Sequence, residues 1–169
     1  KHTKELANVS NSNKSYEAVI KLGQETNTLD TEGDIIETAP IPNLSDEQIQ
    51  ATLESFLGKQ SQIPPMFSAK KINGKRLYSL AREGITVERE SIEITIEAIK
   101  LISFKADEIR LSTTCSKGTY IRVLGSDIAR KLGTVGYLIE LTRTHVGNAN
   151  IKESLTIDEF QEKWKSIHL

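Results

Sequence analysis

The 169-residue sequence contains one cysteine, Cys115, and one methionine, Met66. A single thiol permits no intrachain disulfide and no cysteine cluster for zinc. The three histidines, His2, His145 and His168, are scattered, and no pair has metal-ligand spacing. No run is long and apolar enough to span a membrane as a helix, and no secretory signal is visible. Nucleotide-binding glycine loops and legible Ser/His/Asp or Cys/His arrangements are missing too. These absences predict a cytoplasmic protein without metal. Position 1 is Lys, which predicts a chain that is processed, trimmed or a piece of something longer.

What is present is ordinary in amount and uneven in placement. The length suits one domain with a sizeable core, and the net charge is −1. Residues 17–57 carry Glu17, Glu25, Asp30, Glu32, Asp34, Glu37, Asp46, Glu47 and Glu54 against the single base Lys21. Residues 58–82 then carry Lys59, Lys70, Lys71, Lys75, Arg76 and Arg82 with no acid. Such a block is either a polyanion-binding surface or a solvated face that touches nothing. Phe67 and Tyr78 lie among these cations. They are either rings for unstacked bases or core residues.

The most informative stretch is Cys115-Ser116-Lys117-Gly118-Thr119-Tyr120-Ile121-Arg122. Before it, Ile109, Leu111, Thr113 and Cys115 alternate with Arg110, Ser112 and Thr114, the period of a half-buried strand. After it, Ile121, Leu124, Ile128 and Leu132 recur at helical spacing, and Gly133 marks the stop. Arg122 therefore falls in the first turn of a helix, where the dipole and the unpaired N–H groups favour anions. A cation there calls for an anionic partner, a carboxylate or a phosphate, unless it is a surface side chain in water.

Other elements follow in order. Tyr16 to Leu22 reads as a strand closed by Gly23, with Tyr16 either a core aromatic or an exposed platform. Ile35 and Ile36 suggest a short strand ended by Pro40 and Pro42. Ser45 and Gln48 form a capping box before a stripe of Ile49, Leu53, Phe56 and Leu57. Pro64-Pro65 forbids a helix, Asn73-Gly74 signals a hairpin, and Leu77 to Gly84 suggests a short helix. Residues 91–104 and 108–116 read as an antiparallel pair, 137–144 as another strand, and Thr156 onward as a closing helix with Phe160 and Trp164 on one face. The expected fold is an α+β domain with a mixed, mainly antiparallel sheet flanked by helices.

Three motifs add a resemblance. Lys14-Ser15-Tyr16-Glu17-Ala18 with Lys21-Leu22-Gly23, then Gln62-Ile63-Pro64-Pro65-Met66-Phe67-Ser68-Ala69-Lys70-Lys71 with Gly74 to Tyr78 and Ala81 to Gly84, then Cys115 to Arg122, resemble in order those of the TruB family of tRNA pseudouridine synthases. The resemblance implies a partial pseudouridine synthase catalytic core over 1–169, the C-terminal part of that domain. It also implies an RNA-gripping insertion at about 59–84 and no C-terminal RNA-binding domain. It implies a monomer acting without metal or cofactor on the T-arm stem-loop of tRNA, where the uridine at position 55 becomes pseudouridine.

The same resemblance assigns roles. Tyr16 matches the tyrosine that stacks on the flipped base, Arg122 the arginine that pairs with the catalytic aspartate, and Leu141 the apolar wall of the uracil pocket. Lys70, Lys71, Lys75, Arg76, Arg82, Lys117, Tyr120 and Arg143 are the implied RNA contacts. Two departures stand out. The family's nucleophile lies in a Gly-x-Leu-Asp motif upstream of the tyrosine strand, and the 169 residues contain no such motif. Thr28-Leu29-Asp30 is superficially similar but follows Tyr16. Thr142 stands where members often carry a basic residue before Arg143. The expectation is a chain inactive alone, or else a non-catalytic tRNA-binding or folding module.

Overall fold

The structure, a computed structural model, describes residues 9–167. Ten strands run in chain order: β1 (Lys14–Leu22), β2 (Gln24–Thr26), β3 (Ile35–Thr38), β4 (Gly58–Gln62), β5 (Lys71–Ile72), β6 (Lys75–Arg76), β7 (Ile92–Lys105), β8 (Glu108–Cys115), β9 (Gly136–Val146) and β10 (Ala149–Asn150). Besides the helical residues 9–11, four helices join them among the described residues: α1 (Asp46–Glu54), α2 (Leu77–Arg82), α3 (Ile121–Lys131) and α4 (Ile157–Ile167). A 3-10 turn covers Ile151–Glu153. The sequence of residues 1–14 suggests the ragged tail of a helix and then a loop; residues 1–8 of it lie outside the described residues, and residues 9–11 are helical.

One sheet organises the domain, in the order β10-β9-β1-β8-β7-β4, with two small hairpins, β2–β3 and β5–β6, beside it. Its strand pairs are all antiparallel, so the sheet is simpler than the mixed one expected. One face is apolar. Ala18, Ile20 and Leu22 of β1, Ile109 and Leu111 of β8, and Ile94 and Ile96 of β7 are buried there. They pack with Ile49, Leu53 and Phe56 in and beside α1 and with Leu124 and Ile128 of α3. The other face is polar: Ser15 and Thr114 share a hydroxyl hydrogen bond of 2.8 Å, and Arg110 pairs with Glu140 at 2.6 Å. This is the alternation of a sheet covered on one side.

Local signals account for most element ends. Ser45 caps α1 through both halves of the capping box. Asn73 and Gly74 both adopt positive φ, 51° and 81°, as the two-residue turn between β5 and β6 requires. Three details differ from the sequence pattern. Residues 58–62 form the edge strand β4 against β7, although their side chains show no alternation. Leu57 is 46% exposed, because α1 ends before it. Third, a bulge between Val19 and Ile20 lets β9 slip, so that Ile20 pairs with Leu138 and Ala18 with Leu141. Residues three apart then face the same side, where an uninterrupted strand would place them on opposite sides.

Gly136 begins β9 at a close approach to its neighbours. A Cβ there would lie 2.7 Å from the Ala129 Cβ and 2.9 Å from the Lys21 carbonyl oxygen. Only glycine lets α3, β1 and β9 converge so closely. That convergence sets the distance between the last turn of α3 and the strands beside it.

Candidate active site

The turn from β8 into α3 is held at several points. Gly118 takes φ +84°, and the Thr119 hydroxyl donates to the Ser116 carbonyl at 2.9 Å. Ser116 exchanges hydrogen bonds with the Thr95 backbone on β7. Tyr120 is the N-cap residue of α3 and its side chain makes no capping bond. The buried Gln62 side chain caps instead: its Oε1 accepts the Tyr120 N–H at 2.8 Å, and its Nε2 donates to the Tyr120 carbonyl at 3.1 Å. The Gln62-Ile63-Pro64-Pro65 motif thus fastens the end of β4 to the beginning of α3.

Arg122, in the first turn, meets the anion that its position demands. Its Nη1 lies 2.6 Å from Asp30 Oδ2 and donates to the Thr28 carbonyl at 3.4 Å, while Nη2 donates to the Phe67 carbonyl. Asp30 is equally occupied. Its Oδ1 accepts the Thr28 hydroxyl at 2.6 Å and the Glu32 N–H at 3.1 Å, and its own carbonyl accepts the Thr26 hydroxyl at 2.7 Å. Bonds on both oxygens, the one to Arg122 charge-assisted, fix the carboxylate in one orientation. The turn that carries it includes Leu29 at φ +63°, a left-handed conformation uncommon for leucine. It also needs Gly33, where a Cβ would fall 2.3 Å from both the Asn27 Oδ1 and the Thr28 Oγ1.

Between this ion pair and the sheet lies a cleft of about 490 Å³, lined among others by Tyr16, Asp30, Tyr120, Arg122, Leu138 and Leu141. The volume is in the range of small-molecule sites. Tyr16 and Leu141 reach it from adjacent strands, Tyr16 half-buried and Leu141 half-exposed. Burial, with the neighbouring Cys115, pushes the Tyr16 phenol above its ordinary pKa, and the Arg143 side chain opposite it on β9 works in the contrary direction. Burial likewise raises the Cys115 thiol. The cleft therefore offers an aromatic face, an apolar wall, a neutral phenol and a guanidinium held by a carboxylate. That set suits a planar, polar ring.

Of the expected site residues, the fold brings Tyr16, Tyr120, Arg122 and Leu141 to this one cleft, with Arg143 paired to Tyr16. Lys70, Lys71, Lys75, Arg76 and Arg82 do not line the cleft but lie on and beside the β5–β6 hairpin and α2; Lys71, Lys75, Arg76 and Arg82 are exposed, and Lys70 is less so. Tyr78 is half-buried there, with the Arg76 and Arg82 guanidiniums 5.7 and 5.6 Å from its ring centre. Arg76 also donates to the Tyr78 hydroxyl at 3.0 Å, and Arg76 and Arg82 lower the phenol's pKa. Lys117 is exposed and donates to Asn11 Oδ1 at 2.7 Å. The Arg122–Phe67 bond links the basic segment to the cleft. Sequence reasoning set aside Asp30 and overlooked Gln62. Among the described residues, no group of three or more acidic, histidine or cysteine side chains could hold a metal, and no helix is long and apolar enough to cross a membrane.

The fold has solved counterparts. A Cbf5–Nop10–Gar1 complex matches over 99% of this chain and 41% of its own, at TM-score 0.69 and 19% identity. A structure titled as an H/ACA RNP bound to a substrate RNA containing 2′-deoxyuridine matches over 99% of this chain and 40% of its own, at TM-score 0.62 and 16% identity. The antiparallel sheet with its flanking helices is thus a Cbf5-like fold. Residues 1–121 match the model of the TruB family pseudouridylate synthase N-terminal domain, and the chain belongs to that family. The tRNA pseudouridine synthase B of Psychrobacter cryohalolentis is 45% identical over 148 residues, 88% of this chain and 41% of that protein. That of Dechloromonas aromatica is 45% identical over 159 residues, 94% of this chain and 53% of that protein. The chain spans about half the length, or less, of these curated relatives.

Proposed function

We propose that this chain is the C-terminal part of the catalytic domain of a tRNA pseudouridine-55 synthase, and that its cleft receives the T-loop uridine flipped out of the RNA stack. The observation that carries this reading is the convergence of Tyr16, Arg122 and Leu141 on one cleft in a chain of this family. Extrusion is required because the reacting atoms are hidden in a stacked loop. Tyr16 stacks on the uracil and Leu141 walls it. Arg122 holds the carboxylate of the nucleophilic aspartate, which the family resemblance places in the Gly-x-Leu-Asp motif upstream of Tyr16.

The reaction is an isomerisation and needs no cofactor. The N1–C1′ bond breaks, the uracil rotates, a C5–C1′ bond forms, and the proton on C5 is lost to a base while N1 gains one. The family resemblance gives Tyr16 a part in that proton removal, and its phenol, protonated in the folded state, can take that part only as a hydrogen-bonding relay to the base. The basic segment at about 59–84 grips the T-arm backbone, with Lys70, Lys71, Lys75, Arg76 and Arg82 on phosphates, joined by Lys117, Tyr120 and Arg143 nearer the loop. The protein works in the cytoplasm as a monomer. That none of Lys70, Lys71, Lys75, Arg76 and Arg82 lines the cleft favours a second reading, a tRNA-binding module without chemistry.

The test is pseudouridine formation on a T-arm stem-loop. A longer protein that includes the Gly-x-Leu-Asp segment should convert the uridine, its Arg122→Ala variant should lose at least ~100-fold in rate, and the 169-residue chain should convert none. Conversion by the 169-residue chain overturns the assignment of the nucleophile. Tight binding without conversion by the longer protein supports the binding module.

A further inference from the structure

The face of α3 that carries Arg122 also carries Ser126 and Arg130 at four-residue intervals, one above the other and about 6 Å apart along the axis. Each meets an acceptor on the β2–β3 hairpin or its turn. Arg122 bonds Asp30. The Ser126 hydroxyl donates to Glu25 Oε2 at 2.6 Å. Arg130 lies 2.7 Å from Glu25 Oε1 and 2.9 Å from Glu37 Oε2. Glu25 has a side-chain exposure of only 7%, with both oxygens engaged.

These polar bonds hold the hairpin where apolar packing does not. All four residues of β3 are exposed, with Ile35 at 53% and Ile36 at 62%, so no apolar face of β3 fixes its height. Glu25 and Glu37 are direct cross-strand partners, an arrangement of like charges that repels on its own. Arg130, bridging both carboxylates, turns the repulsion into an attachment. The turn that follows β2 carries Asp30, and a backbone bond from the Leu138 N–H to the Leu29 carbonyl, 3.0 Å, ties its far side to β9.

We propose that Glu25 is a positioning residue which, through Ser126 and Arg130, sets the height of the Asp30 turn on α3 and so places the Arg122 guanidinium at the cleft. The inference rests on the reading of that cleft as the uridine site. It assigns Glu25 no contact with RNA. Its role is to limit the Asp30 turn to one register, so that Arg122, paired to the Asp30 carboxylate, stays with it.

The test reads Arg122 itself in the 169-residue chain without RNA. The Arg122 side-chain N–H signals are followed by NMR, with hydrogen exchange at the Leu29 and Glu32 amides. Asp30→Asn provides the reference shift. Glu25→Gln and Arg130→Gln should each move the Arg122 signals in the Asp30→Asn direction. Each should speed the two amides by about tenfold under conditions where the sheet stays protected. Arg130 is 49% exposed, so its variant carries the test even where Glu25→Gln fails to fold. Variants that lower the melting temperature but leave the Arg122 signals and the two amides unchanged overturn the proposal. In the longer protein, Arg130→Gln should slow conversion of bound RNA with the dissociation constant unchanged. Because the NMR readout needs neither RNA nor turnover, its failure removes the positioning role alone. Shifted Arg122 signals in this chain, beside a longer protein that forms no pseudouridine, remove the functional reading alone.

Discussion

Replacing Gln62 by Leu removes the cap of α3 while keeping a side chain of similar bulk. Two hydrogen bonds to the Tyr120 backbone disappear. They are not equal. The Tyr120 carbonyl keeps the intrahelical bond from the Leu124 N–H at 3.1 Å, whereas Gln62 supplies the acceptor for the Tyr120 N–H. Breaking a bond whose acceptor keeps another partner costs about 0.5–1 kcal/mol, and a buried donor left unpaired about 1–3 kcal/mol. Burying Leu in place of the amide offsets part of this, so the net loss should be about 2 kcal/mol. In a domain of this size that is a fall of about 4–8 °C in melting temperature. Urea unfolding of the variant beside the parent chain reads it directly, with the slope unchanged. Gln62→Glu sharpens the test. Ionised, it still accepts the Tyr120 N–H but faces the carbonyl with a second acceptor. Protonated, it reproduces the donor and acceptor of glutamine, so this variant should gain stability relative to the parent as pH falls. A loss below about 0.5 kcal/mol for Gln62→Leu would show that α3 does not depend on this cap.

The tyrosines give a pH test. Arg76 and Arg82 lower the Tyr78 phenol, while burial raises that of Tyr16. In an ultraviolet titration, Tyr78→Phe should remove an early-ionising step and Tyr16→Phe a late one. Because the folded state keeps Tyr16 protonated, its stabilising share is full below the unfolded phenol pKa and fades as pH rises through the folded value. The reverse order of steps would contradict the two environments. Removing Lys71, Lys75, Arg76 and Arg82 together should weaken T-arm binding and flatten its salt dependence by about one unit of slope for each phosphate no longer neutralised. Unchanged binding would make the block a solvated face. Gly33→Ala should cost about 2 kcal/mol or more, because the new methyl meets Asn27 and Thr28 at 2.3 Å. Full stability would mean that the turn relaxes freely.

The sheet and helices were legible because periodicity, caps and glycines agree with the fold. Ser45 and Gln48 cap α1, and Asn73-Gly74 turns between β5 and β6. The charge argument for Arg122 was also sound, since a cation in the first helical turn calls for an anion and meets one. Its partner was not legible. Asp30 comes from a turn whose conformation depends on a left-handed Leu29, and leucine carries no sign of that. Gln62 looks like a polar residue before two prolines, and its role exists only once β4 pairs with β7 and brings it to Tyr120. The β9 bulge escaped for a similar reason. Simple alternation puts Leu138 and Leu141 on opposite faces, and the irregular pairing with β1 returns both to the cleft.

The most direct test of the uridine cleft is photo-crosslinking. A T-arm stem-loop carrying 4-thiouridine at the target position is irradiated with this chain, and the linked peptides are identified by mass spectrometry. The account predicts crosslinks in β1 at or near Tyr16 and in β9 at or near Leu141. Crosslinks confined to residues 70–82, or bound RNA with none in either strand, would contradict it.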